Sequence, residues 1–157
     1  MKEIEALFEY LEPFGVDGHM LAPGYGYSAV NDREIFMTRE DVHEKFKDID
    51  RLARRFRLNS TPVYVDFLKG TRDLPCTAWG NPTYNVSGWK GPCYLITDGH
   101  YETFEEFMVR TPWEDYGHGN DPRCEHCMMH CGYEPSAALG INGKASDSLR
   151  LLSWALR

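Results

Sequence analysis

Long apolar runs are missing. No stretch approaches the roughly 18 to 20 unbroken apolar residues that span a bilayer, so a membrane-crossing helix is not expected. Cations are the minority charge: 17 Lys and Arg against 24 Asp and Glu give a net charge of −7. A surface that tracks phosphates needs clustered cations, which argues against a nucleic-acid partner. Met1 to Tyr10 is acidic and amphipathic rather than basic and then apolar, unlike an export leader, and the expected address is the cytoplasm. Internal repeats and low-complexity tracts are absent as well. What remains is 157 residues, 42% apolar and 26% charged, enough for a packed core rather than a disordered or fibrous chain. Aromatics make up 13% of the chain; they suit core packing, with the lining of an apolar pocket as the alternative.

Local patterns predict an α+β chain. Ile4, Leu7, Phe8 and Leu11 recur at helical spacing over residues 3–12, and Pro13 with Gly15 stops the helix. Val16 to Ala22 reads as a short strand, weakened by Gly18 and followed by the turn-rich Pro23-Gly24-Tyr25-Gly26-Tyr27. Thr38 with Asp41 opens one long helix whose buried face runs through Val42, Phe46, Ile49, Ala53 and Phe56. Arg54, Arg55 and Arg57 close it, as the helix dipole favours. Thr61-Pro62 starts a short buried helix over Val63 to Lys69, with a strand as the alternative because of the two valines. Beyond Gly70 proline and glycine punctuate the chain, so a boundary is expected there, with residues 1–70 and 71–157 as two units. In the second unit Cys93 to Thr97, Asp98-Gly99 and His100 to Glu102 read as a β-hairpin. Thr103-X-X-Glu106 caps a helix to about Arg110, Thr111 opens a shorter one, and Pro135 to Leu139 and Ser148 to Leu156 look helical.

The chemistry lies in five cysteines: Cys76, Cys93, Cys124, Cys127 and Cys131. An odd number with no leader fits metal or redox use better than a disulfide framework. Cys124-X2-Cys127 is the step that brings two thiolates to one ion or cluster across a tight turn. Eleven residues separate Cys76 from Gly88 and four separate Gly88 from Cys93, so a glycine-turned loop can return a second pair of sulfurs to the first. Cys76, Cys93, Cys124 and Cys127 are therefore the candidate metal ligands, against the plain alternative that free cysteines serve as small buried hydrophobes. Cys131 is left over as a swap ligand, a nearby thiol or core. His126 and His130 read as polar neighbours of the loop, with zinc ligation as the alternative.

These strings carry a resemblance. Cys, eleven residues, Gly, four residues, Cys and a distant Cys-X2-Cys resemble the SPASM and twitch auxiliary regions that follow radical S-adenosylmethionine (SAM) barrels. More specifically, the segments Val16-Asp17-Gly18-His19, Pro23 to Tyr27, Phe67-Leu68, Cys76 to Asn85, Gly88-Trp89, Pro92 to Leu95 and Cys124 to Glu134 resemble, in order, the C-terminal half of the adenosylhopane synthases, the radical SAM enzymes of hopanoid synthesis. The likeness runs from about Gly15 to Leu139. It implies the last βα units of a partial radical SAM barrel over 1–70 and a loop-rich cysteine domain over 71–157. It implies, too, a 4Fe-4S cluster on Cys76, Cys93, Cys124 and Cys127, zinc being the alternative for a structural or binding module.

The resemblance also implies a transferase that adds a 5′-deoxyadenosyl radical to a hopene-type lipid, reached at the membrane surface, with an electron-donor protein as partner. The Cys-X3-Cys-X2-Cys loop of the SAM-cleaving cluster has no counterpart here; Cys124, Cys127 and Cys131 have the reverse spacing. The chain is accordingly expected to be one part of such an enzyme, inactive alone, with SAM bound by a separate N-terminal radical SAM core. Tyr25, Tyr27, Trp79, Tyr84, Trp89 and Tyr133 would form a wall for a polycyclic hydrocarbon, with core packing the simpler account, and Glu134 reads as a site residue or a helix-start carboxylate.

Overall fold

The computed structural model describes residues 1–26, 34–140 and 143–156. It is an α+β arrangement in which helices carry most of the core and one small antiparallel sheet stands beside them. Helix α1 (Lys2–Leu11) buries Phe8, which stacks on His19 at 3.8 Å and meets the edge of Phe56 at 5.4 Å. The strand expected over Val16 to Ala22 reduces to a single parallel bridge between His19 and Leu58. Gly18 permits that approach: a Cβ there would lie 2.5 Å from the Asn59 side-chain oxygen.

The long helix expected after Thr38 is two helices, α2 (Arg39–Phe46) and α3 (Ile49–Arg55). The Thr38–Asp41 capping box forms as read. Asp48 leaves the helical region (φ −102°, ψ 13°), and the break allows Phe46 and Ile49 on either side of it to be buried together. Helix α4 (Pro62–Leu68) settles the helix-or-strand ambiguity of its valines. Thr61 caps it through the Tyr64 N–H, Pro62 opens it, and Val63, Tyr64, Val65, Phe67 and Leu68 are all buried.

Strands β1 (Thr83–Asn85), β2 (Gly88–Pro92) and β3 (Thr97–Tyr101) form the sheet in that order. This corrects the expected hairpin: Asp98-Gly99 lies inside β3, opposite β2, and Cys93 to Ile96 is the connection. The register that pairs Trp89 with Tyr101 sets the indole against Phe104 (4.9 Å) and Phe107 (6.0 Å) of helix α5 (Phe104–Arg110). The Asp98 carboxylate meanwhile serves Arg123 and Tyr116 instead of a turn. Helix α5 starts on the expected Thr103–Glu106 capping box, and the turn after Thr111 is a single 3-10 turn, Trp113–Asp115.

The last two helices begin earlier than their sequence patterns suggest: α6 spans His130–Ala138 and α7 spans Ala145–Ala155. Helix α6 contains Pro135, which closely abuts Gly80, and it packs on α4 through Phe67 and Tyr133, stacked at 4.3 Å. The Tyr64 hydroxyl donates to the Met128 carbonyl at 2.8 Å, tying the same pair of segments. Helix α7 docks through Trp154 Nε1, which donates to the Leu58 carbonyl, and through the buried Arg72–Asp147 pair at 2.7 Å. No helix among the described residues is long and apolar enough to cross a membrane.

Candidate metal centre

All five cysteines line one small cavity. Its wall is made of Cys76, Cys93, Cys124, Cys127 and Cys131 with Tyr25, Leu95, Ile96, Gly117 and Tyr133 among the other lining groups. Three structural units deliver the sulfurs. Cys76 lies on the extended segment before the 3-10 turn Ala78–Gly80, and Cys93 on the link between β2 and β3. Cys124 and Cys127 flank a tight turn in which the Cys127 N–H donates to the Cys124 carbonyl at 3.0 Å, and Cys131 opens α6. The four sulfurs singled out by spacing thus share one wall, and Cys131 joins them there. Its place there matches one of the three readings left open for it, a thiol beside the others, although proline and glycine near 132–135 disguise the start of α6.

The cysteines are reduced and mostly withdrawn from water; Cys124 and Cys131 are 8% and 6% exposed. Burial pushes the Cys76 thiol up to about 12 and Cys131 to about 11, and raises Cys124 and Cys127 as well. The other thiols add to this. Charge on Cys93, Cys124 or Cys131 bears on Cys76, and charge on Cys131, Cys76 or Cys124 bears on Cys127. Thiols that oppose one another's ionisation in an enclosed space are relieved by a cation.

Close packing enforces the arrangement. A Cβ on Gly132 would stand 2.5 Å from the Cys76 sulfur, so only glycine lets that thiol lie against the first turn of α6. The Thr77 N–H donates to the Gly132 carbonyl at 2.8 Å, and the Ser136 hydroxyl bonds both Thr77 and the Pro75 carbonyl. Across the cavity the Arg123 guanidinium forks onto Asp98 (2.7 Å) and Asp121 (2.7 Å), holding β3 to the turn before Cys124. Tyr25 closes one side, its hydroxyl donating to the Arg123 carbonyl at 2.6 Å.

The free space is tight, about 20 Å³, the room one water needs. Among the described residues no three His, Cys, Asp or Glu side chains are arranged to hold a metal ion. The five cysteines share the lining of this cavity. As a donor set they suit a soft, thiophilic centre, because the lining named above carries no carboxylate and no imidazole.

The other sequence candidates fall elsewhere. His126 is exposed and near Glu40 and Asp41 at the start of α2. His130 is half-buried, with Nδ1 lacking a hydrogen-bond partner among the described residues, and burial lowers its basicity. Neither lines the cavity. Glu134 reaches out of α6 to Thr61, accepting its N–H at 3.0 Å and its hydroxyl at 2.6 Å, so this carboxylate supports the start of α4. Of the aromatics, Tyr25 and Tyr133 reach the cavity, Trp89 packs on α5, and Trp79 and Tyr84 are exposed, so these five share no common wall; Tyr27 lies outside the described residues. A larger cleft, about 650 Å³, lies between α3, α4 and α7 and contains no cysteine.

A family model described as a domain of unknown function (DUF3463) matches residues 19–151, a span that takes in every cysteine. The chain belongs to the DUF3463 family. No curated protein and no solved structure matches it. The DUF3463 match begins at His19, the residue bridged to Leu58, and ends in α7, so it includes the helical core together with the cysteine cavity.

Proposed function

We propose that this DUF3463 chain holds a polynuclear iron–sulfur centre in its cysteine cavity and serves as the C-terminal portion of a radical SAM enzyme of hopanoid synthesis. The observation that carries the first part is the wall of five thiols drawn from three separate stretches of chain. A lining of thiols suits a cluster whose irons are each met by one thiolate, and the resemblance favours that over a single zinc ion. The candidate ligands Cys76, Cys93, Cys124 and Cys127 all stand on that wall, beside Cys131. The ordered resemblance to the adenosylhopane synthases supports the second part.

On this reading residues 1–70, which are helices joined by the one parallel bridge His19–Leu58 among the described residues, are the last elements of a partial barrel supplied by the N-terminal radical SAM core, and residues 71–157 form the auxiliary cluster domain. The SAM-binding core, an electron-donor protein and a hopene-type lipid at the membrane surface are the partners. A bound cluster supplies an electron relay or a fixed charge near the substrate. The chain's own residues bind it, shield it from water behind Tyr25 and Tyr133, and hold the loops that carry the thiols.

The test is anaerobic purification followed by metal and sulfide analysis. A brown protein with about four iron and four acid-labile sulfides per chain is expected for one 4Fe-4S cluster. A colourless protein with one zinc and no sulfide would replace this reading with a zinc-stapled structural or binding module. For the second part, mixing the chain with the SAM-cleaving core and hopene should yield an adenosylated product by mass spectrometry. Cleavage of SAM with no lipid product would refute the hopanoid assignment.

A further inference from the structure

We infer that Cys131 is a ligand of the centre together with Cys76, Cys124 and Cys127, and that Cys93 is the thiol left free. This rests on the iron–sulfur reading above. A four-iron cluster held wholly by cysteine takes four thiolates, and five line the cavity, so one sulfur has no iron to meet. Which one is decided by the bodies that carry them.

Four of the five belong to a single hydrogen-bonded unit built on the start of α6. Cys131 is the second residue of that helix. Gly132 accepts the Thr77 N–H at 2.8 Å and, by lacking a Cβ, makes room for the Cys76 sulfur. Met129 caps α6, taking the Gly132 N–H at 3.2 Å. The Cys124 carbonyl is bonded to the Cys127 N–H in the adjoining turn. Sulfurs fixed to one body keep their mutual geometry, which is what a rigid inorganic core demands of its ligands.

Cys93 stands on another body. It follows β2 in the connection to β3, and the Arg123–Asp98 ion pair, half-exposed at both ends, joins that sheet to the cysteine turn. It lines the same cavity from this second unit, outside the frame that joins the other four.

Five single Cys→Ser variants of the full chain, reconstituted anaerobically with ferrous iron and sulfide, test this. Iron and sulfide are counted per folded chain, with circular dichroism as the folding measure, and reduced samples are examined by electron paramagnetic resonance. C131S, C76S, C124S and C127S are expected to lose most of the iron and sulfide, while C93S keeps wild-type content and an unchanged signal. A C131S protein with full content and an unchanged signal would overturn the inference, as would loss of the cluster in C93S. Should C131S fail to fold, alkylation of the loaded wild type reads the same point: Cys93 is expected to label alone, and Cys131 only after chelation. Labelling of Cys131 in the loaded protein also overturns it. Wild-type chain that takes up no sulfide is a separate result, which removes the iron–sulfur reading itself.

Discussion

The helical layer and the cysteine cavity sit side by side but are held together by different physics. Around α4 the interior is hydrocarbon and aromatic: Phe46, Ile49, Leu52, Tyr64, Phe67 and Leu68 are buried together, with Tyr133 laid on Phe67. Such a layer is stabilised by removing apolar surface from water and needs no cofactor. Around the cavity the chain is short strands, 3-10 turns and links, and its centre is filled by thiols whose burial opposes their ionisation. Backbone hydrogen bonds and close-fitting glycines shape that region, and a metal centre would supply the stabilisation that hydrocarbon supplies next door. The comparison teaches that the two regions should respond to different insults.

Metal removal should show the largest contrast. In hydrogen exchange on the loaded and chelated protein, segments 76–96 and 117–132 are expected to lose protection on chelation, while α2 to α4 keep theirs; equal loss in both would erase the distinction. The converse experiment attacks the hydrocarbon side. Phe67→Ala should cost about 3–5 kcal/mol in denaturant unfolding, because it removes the ring on which Tyr133 stacks and over which Arg39 lies at 5.1 Å. A cost below about 1 kcal/mol would contradict the role given to that layer.

Between these lies Gly132→Ala, which places a methyl 2.5 Å from the Cys76 sulfur. Overpacking of this kind costs about 1–3 kcal/mol, and here iron uptake should fall more than stability does. The smallest effect is expected at a cap: Thr61→Ala removes the hydroxyl that accepts from the Tyr64 N–H and donates to Glu134, a loss of about 1 kcal/mol measured by thermal unfolding, with iron content unchanged.

Acid offers a further separation. Backbone N–H donation from Lys144, then Arg72, holds the Asp147 carboxyl below its ordinary value of 3.8. Its folded pKa is depressed, so its contribution is present above that value and is lost as the pH falls through the folded pKa. Asp147→Asn should therefore loosen α7 at neutral pH and flatten the acid limb of the stability curve, read from Trp154 fluorescence. An unchanged acid limb would argue against the Arg72–Asp147 pair as the anchor.

Much of the helical layer was legible because its signals are local. Thr38–Asp41, Thr61-Pro62 and Thr103–Glu106 each begin a helix where the residues say they should. The hairpin was not, because strand pairing is decided by distant partners. Asp98-Gly99 looks like a turn by itself, yet becomes strand once Trp89 pairs with Tyr101 and Asp98 has Arg123 to bind. The cavity was legible in part. Spacing indicated that Cys76 and Cys93 could meet Cys124 and Cys127, whereas the place of Cys131 depends on α6 beginning at His130, ahead of a proline that locally argues for a later start. The tie of Glu134 to Thr61 joins residues far apart in sequence, and no local pattern announces it.

The most direct examination of the central claim is iron X-ray absorption on the anaerobically loaded chain. The account predicts a sulfur shell around iron together with a distinct iron–iron shell, the signature of a polynuclear centre inside the ring of thiols. Spectra showing isolated metal ions bound by sulfur or nitrogen, with no metal–metal shell, would contradict it.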